Sequence, residues 1–266
     1  MKPERIFSTV ILNIFLVAVI SGASDTPEVG VEYKLKGTKG GPMLYVPAGE
    51  FMMGCNGDKD KKCKGNEKPY HQVYLDAYYI DKYEVTNREY EECVNEGACT
   101  VRLKPMTEWK HPVTNVRWEQ ALAYCHWAKK RLPTEAEWEK AARGNDGRIY
   151  PSGNDIDCSK AHYGKCKPHD FLPIGSLPDG ASPYGAMDMA GNAWEWTNDW
   201  YKSSYYKKSP KKNPQGPKSA GFHSVRGGSW KDNAKELRVS RRMKVVSNTP
   251  VMTLFGFRCA KTPDSP

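Results

Sequence analysis

Residues 184–200 (Tyr-Gly-Ala-Met-Asp-Met-Ala-Gly-Asn-Ala-Trp-Glu-Trp-Thr-Asn-Asp-Trp) constrain the fold of this chain more than any other stretch. Three tryptophans and three acidic residues surround one turn signal, Gly191-Asn192. Strand alternation after that turn sends Trp194 and Trp196 to one face and Glu195 to the other. A carboxylate held beside a tight turn, with Asp188 on its far side, is how loops assemble an oxygen cage for a hard cation.

The rest of the chain must supply a core for those tryptophans without many aliphatic residues. Hydrophobic content is 39% and mean hydropathy is −0.72, so 8 Trp and 15 Tyr carry much of the buried area. With 23 Gly and 19 Pro, the chain reads as turns and short elements rather than long helices. Its 266 residues allow one large domain or two small ones.

The first 23 residues read as a signal peptide. Lys2 and Arg5 precede an apolar run at 7–20, and Ser21-Gly22-Ala23 supplies small residues for cleavage. The run is short for a span of about 20 residues, so membrane attachment is expected only if this segment stays uncleaved as an anchor. An exported protein, periplasmic or extracellular, is expected. In that setting eight cysteines read as four disulfides. Cys55/Cys63, Cys93/Cys99 and Cys158/Cys166 are close in sequence, leaving Cys125 and Cys259 for each other. A zinc site is the rival, without a Cys-x-x-Cys or histidines at ligand spacing.

Net charge is +9, or +8 once Lys2, Arg5 and Glu4 (net +1) are removed. Much of the excess lies at 202–218, in Lys202, Lys207, Lys208, Lys211, Lys212 and Lys218. Such a tract suits nucleic acid or an anionic envelope surface. In an exported chain the reading is a solvated loop with no nucleic-acid partner.

Residues 24–42 read as a flexible lead-in. Residues 43–54 read as two short strands around Pro47-Ala48-Gly49, and 71–83 as a strand pair carrying Val73, Leu75, Tyr78 and Ile80. In the charged loop 56–68, Asp58, Asp60 and Glu67 read as solvated. Thr86 with Glu89 and Thr134 with Glu137 are capping boxes that start two helices, ending at Gly97 and near Gly144. Another helix spans about 118–130, with Ala121, Leu122, Cys125 and Ala128 on one stripe. Trp138 and Ala141 face the core.

The ordered motifs Val46-Pro47-Ala48-Gly49-Glu50-Phe51-Met52-Met53-Gly54, Glu84-Val85-Thr86-Asn87, His111-Pro112-Val113, Ala123-Tyr124-Cys125-His126-Trp127 and Lys130-Arg131-Leu132-Pro133-Thr134-Glu135-Ala136-Glu137-Trp138-Glu139 are specific. So are Asp188-Met189-Ala190-Gly191-Asn192-Ala193-Trp194-Glu195-Trp196-Thr197, Arg226-Gly227-Gly228-Ser229-Trp230 and Gly256-Phe257-Arg258-Cys259-Ala260. Together they resemble the sulfatase-modifying-factor, or formylglycine-generating-enzyme, family. The resemblance implies an α+β domain over 43–262, related to C-type lectins, with little regular secondary structure. It implies a Cys125–Cys259 bridge and a structural calcium held by the Asp188 and Glu195 side chains and the Gly191 and Ala193 carbonyls. A second family calcium site, between 161 and 171, is not expected, because that region is shortened and lacks its Asn.

The family's enzymes oxidise a sulfatase cysteine to formylglycine with oxygen and copper(I) held by two cysteines after Gly-Gly-Ser. Those positions are Asp232 and Leu237 here. Copper(I) demands soft thiolates, so copper is not expected. Other branches of the family, as the resemblance implies, include a periplasmic oxidase without the pair and non-enzymatic envelope components. The expectation is therefore a calcium-stabilised, monomeric binding or envelope protein taking a peptide or envelope-protein ligand. Its cleft would carry Ser229, Trp230, Asp232, Asn233, Glu236, Arg238, Arg241 and Arg242. The alternative is an oxidase, formylglycine-generating or another of the same family.

Overall fold

In a computed structural model, residues 26–102, 108–246 and 253–264 are described; the signal-peptide reading of residues 1–23 lies outside them. Strands β1 (Glu32–Tyr33), β2 (Met43–Val46), β3 (Gly49–Met53), β4 (His71–Leu75) and β5 (Tyr78–Asp81) come first. Helices α1 (Asn87–Asn95), α2 (Trp118–Trp127) and α3 (Glu135–Arg143) follow, then β6 (Trp194–Trp200), β7 (His223–Arg226), β8 (Met243–Val245), β9 (Phe255–Gly256) and β10 (Ala260–Lys261). They form sheets ordered β1-β2-β5-β10, β3-β4 and β8-β7-β6-β9. Among the described strands, only β6 and β9 pair in parallel.

The two expected strand pairs exist, but the partners are exchanged. β2 pairs with β5 and β3 with β4, from Val46 opposite Tyr78 to Gly49 opposite Leu75. Two residues on each strand separate these partners, so the register is unbroken. The four strands are one long hairpin bent at 47–48 and 76–77. The buried Lys140 ammonium fixes the bend by donating to the carbonyls of Pro47 (2.7 Å) and Gly49 (3.0 Å).

Of the lead-in expected at 24–42, the described part, 26–42, is tied to the domain. β1 pairs with β2, and Tyr33 packs against Met43 and Tyr79. Lys82 holds Glu32 at 2.6 Å, and the Lys39 N–H donates to Ala128. An aromatic anchor and an edge strand outweigh a polar, glycine-rich composition.

Both capping boxes form: Thr86 accepts from the Glu89 N–H, and Thr134 from the Glu137 N–H. α2 ends at Trp127, three residues early, because Lys129 adopts φ 59°. Every residue of α3 is buried, its charged ones included. Trp138 and Ala141 join one core cluster with Val73, Ile80 and Met189. Trp194 and Trp196 enter another with Val116, Tyr124, Cys125 and Phe257. Four disulfides close the molecule: Cys55–Cys63, Cys93–Cys99, Cys158–Cys166 and Cys125–Cys259.

Candidate functional site

The turn at 188–193 is built on three left-handed residues, Asp188 (φ 59°), Gly191 (φ 85°) and Asn192 (φ 56°). Gly191 cannot be replaced there: a Cβ would lie 2.1 Å from the His162 carbonyl oxygen. Asn192 locks the turn, donating to Glu84 Oε2 at 2.6 Å and accepting from the Leu172 N–H at 3.0 Å.

Alternation places Glu195 opposite the tryptophans, fully buried. Its carboxylate accepts from Arg258 Nε and a terminal Arg258 nitrogen, both at 2.7 Å, and from Trp138 Nε1 at 2.8 Å. Asp188 accepts from the Gly175 N–H at 2.7 Å, and Glu84 from the Ala193 N–H at 3.1 Å. Burial, reinforced by the charges of Asp188 and Glu195, pushes Glu84 well above the usual carboxylate range. Burial likewise raises Asp188 to about 6, against the pull of Gly175 and Arg258.

Buried Glu84 and Glu195 and half-buried Asp188 thus lie near the Arg258 guanidinium, which pairs with Glu195, and leave a charge deficit that a hard cation or bound protons would relieve. The donor set is all oxygen. Glu195 commits three of its roughly four lone pairs to Arg258 and Trp138, leaving one on Oε1. The residues therefore fit a calcium ion by charge and donor type. Asp188 and the Gly191 and Ala193 carbonyls would carry most of the coordination. Among the described residues, the only three metal-type side chains that converge closely are Cys55, Asp60 and Cys63, whose sulfurs form a disulfide. Glu84 and Arg258 were missed as members of this cluster. Their signal was a charge set between apolar neighbours, as in Phe257-Arg258-Cys259.

The residues expected to share a cleft after Gly228 do not converge on one. Ser229 is buried, and Asp232 Oδ2 accepts from its Oγ (2.5 Å), its N–H (3.0 Å) and Trp194 Nε1 (2.8 Å). Asp232 therefore ties the turn. Leu237 is fully buried with Tyr150, Tyr163 and Cys166. It lies so close to Gly228 (φ 79°) that a Cβ there would come within 2.8 Å of its methyl.

Arg238 turns inward to Glu67 (2.7 and 2.8 Å) and Asp60 (2.7 Å), correcting the reading of those two acids as solvated. Arg242 turns inward to Glu135, at 2.9 and 2.8 Å. Glu236 is paired with Arg241 and Lys64. Trp230 is half-buried, edge-on to buried Phe171 at 6.1 Å and overlaid by the Lys231 ammonium at 4.9 Å, and its Nε1 is buried without a hydrogen-bond partner among the described residues; Lys231 and Asn233 are exposed. Cavities of about 240 Å³ beside Arg131 and about 200 Å³ beside Glu84 lie elsewhere; neither is lined by residues 229–242.

Residues 31–263 match the model of the sulfatase-modifying factor enzyme 1-like domain. A Chlamydia caviae protein named serine/threonine-protein kinase pkn1 is 36% identical over 245 residues, 82% of this chain. The chain spans only 38% of that relative's length. Formylglycine-generating enzyme of Bos taurus is 32% identical over 281 residues, covering 82% of this chain and 74% of that one. The inactive Cα-formylglycine-generating enzyme 2 of Bos taurus is 28% identical, over 82% and 87%. Among solved structures, PvdO from Pseudomonas aeruginosa superposes with a TM-score of 0.76 at 24% identity, over 89% and 99% of the two chains. Treponema denticola variable protein 1 gives 0.70 at 26%, over 84% and 95%. With a domain match covering most of its length and relatives above 30% identity, the chain belongs to the sulfatase-modifying factor family and has its disulfide-bonded α+β fold.

Proposed function

We propose that this protein is an exported, calcium-stabilised member of the family that acts by binding and not by copper-dependent oxidation. One observation carries this reading. The two positions where, as the resemblance implies, formylglycine-generating enzymes carry their copper thiolates are Asp232, which ties a turn, and Leu237, which is sealed in a core cluster. All eight cysteines are consumed by disulfides, so no thiolate is left to bind copper(I). That a relative of similar span is named inactive supports the same reading. The kinase name of the chlamydial relatives describes proteins of which this chain matches 38%, and it carries no argument here.

Four disulfides support an oxidising compartment, periplasmic or extracellular. The cluster of Glu84, Asp188 and Glu195 around one arginine supports the calcium. The surface at half-buried Trp230, with exposed Lys231 and Asn233, is where a peptide or envelope-protein ligand would sit on a monomer. Titration with copper(I) against a coloured chelator tests the central point. The protein should leave the copper chelate intact; withdrawal of one equivalent of copper(I) would overturn the reading.

A further inference from the structure

Two lysine-rich segments that are far apart in sequence lie next to each other through their flanking residues. Residues 59–68 carry Lys59, Lys61, Lys62, Lys64 and Lys68, and residues 202–218 carry six more lysines. The residues that flank them bring the segments together. Asn66 Nδ2 donates to Tyr201 Oη at 2.7 Å, and His71 Nε2 lies 3.1 Å from Ser209 Oγ. The Tyr74 N–H donates to the Lys211 carbonyl at 2.7 Å.

Eleven lysines therefore meet two carboxylates of their own segments, Asp60 and Glu67, and both are buried and neutralised by Arg238. The acids that reach in from neighbouring elements each engage one lysine: Glu236 holds Lys64, and Asp76 holds Lys212. Exposed Glu50, across β3 and β4, is hydrogen-bonded to Gln72. Exposed Asp58 accepts through no side-chain bond among the described residues, and Asp146 is paired with Arg148. Lys62, Lys68, Lys202, Lys207, Lys208, Lys211 and Lys218 are exposed with no described ion-pair partner.

The chemistry of the face narrows its partner. Neither segment contains an arginine, the side chain that reads a single phosphate or carboxylate through two parallel bonds. Buried Arg238, Arg242, Arg226 and Arg258 are spent on Glu67, Glu135, Glu139 and Glu195. Lysine ammoniums on loops are mobile point charges that suit a diffuse plane of negative charge. Half-buried Tyr70, Tyr74 and Tyr205 lie among them, amphipathic rings suited to a headgroup layer. We infer that this face docks on the surface of an anionic phospholipid bilayer. The contact is independent of any N-terminal anchor and goes beyond the binding role proposed above.

Sedimentation of the full chain with vesicles tests this at 50 mM salt. Vesicles containing 30% phosphatidylglycerol should bind it, and purely zwitterionic vesicles report any contribution of the apolar run at 7–20. Each of Lys202→Gln, Lys207→Gln, Lys208→Gln and Lys211→Gln should lower partitioning to the anionic vesicles about fivefold, and the four together several hundredfold. The matching four Lys→Arg replacements should retain it, and the thermal midpoint should be unchanged in both sets. Raising salt to 500 mM should release the protein. Equal partitioning to both vesicle types, or a fourfold variant that partitions like the parent, would overturn the inference. So would retention on soluble polyglutamate without vesicle binding, which would point to an acidic protein partner.

Discussion

Replacing Glu135 by Gln should reveal how far this fold depends on buried charge. Glu135 opens α3 and is fully enclosed, held by Arg242 at 2.8 and 2.9 Å, by Arg226 at 3.2 Å and by the Ser224 hydroxyl at 2.6 Å. Burial alone would raise its pKa, but the Arg242 and Arg226 guanidiniums win and hold it at about 2. A carboxyl lowered from 4.5 to about 2 stabilises the fold by roughly 3 kcal/mol at pH 7. Breaking one partner out of a buried pair costs about 3–5 kcal/mol, which agrees. Because the folded pKa is the lower one, this contribution is complete above about 4.5 and fades as pH falls toward about 2. Urea unfolding of the parent and Glu135→Gln should therefore show a gap of about 3–5 kcal/mol at pH 7 that narrows steadily below pH 4.5. A gap under 1 kcal/mol at pH 7, or one that stays constant down to pH 2.5, would refute the reasoning.

Other perturbations have equally definite outcomes. Arg258→Leu leaves the fully buried Glu195 carboxylate without its ion-pair partner and should cost about 3–5 kcal/mol in urea unfolding, where a loss below 1 kcal/mol would contradict the cluster. EGTA should lower the thermal midpoint and excess calcium should restore it by mass action, so an unmoved midpoint would remove calcium from the account. Serine at Cys125 and Cys259 opens a loop of 134 residues and should cost about 5 kcal/mol, against about 2.5 kcal/mol for Cys158 and Cys166 with a separation of 8. Equal losses in chemical denaturation would show that loop entropy is not what these bridges supply.

What could be read in the sequence was whatever local chemistry dictates. Thr86 with Glu89 and Thr134 with Glu137 start helices because the cap is closed within four residues. Trp194, Glu195 and Trp196 sort to opposite faces because strand geometry alone requires it. What stayed hidden depends on partners remote in sequence. Glu67 meets Arg238 across 171 positions and Glu135 meets Arg242 across 107, so no local pattern marks these charges as buried. The exchanged strand partners were illegible for the same reason, since the ammonium that fixes the bend comes from Lys140, on α3. Within the candidate site, the turn at 188–195 was legible from its own residues. Arg258, which answers Glu195, and the inward rotation of Arg238 and Arg242 were not.

In the proposed reading, a turn closed by Asp232 and a buried Leu237 stand where a cysteine-oxidising centre would need its thiolates. Incubating the purified protein with copper(I), oxygen and a peptide containing Cys-x-Pro-x-Arg tests it most directly, with mass spectrometry reading the cysteine. The peptide should keep its thiol or form only disulfide. Conversion of that cysteine to an aldehyde, at catalytic turnover, would contradict the account.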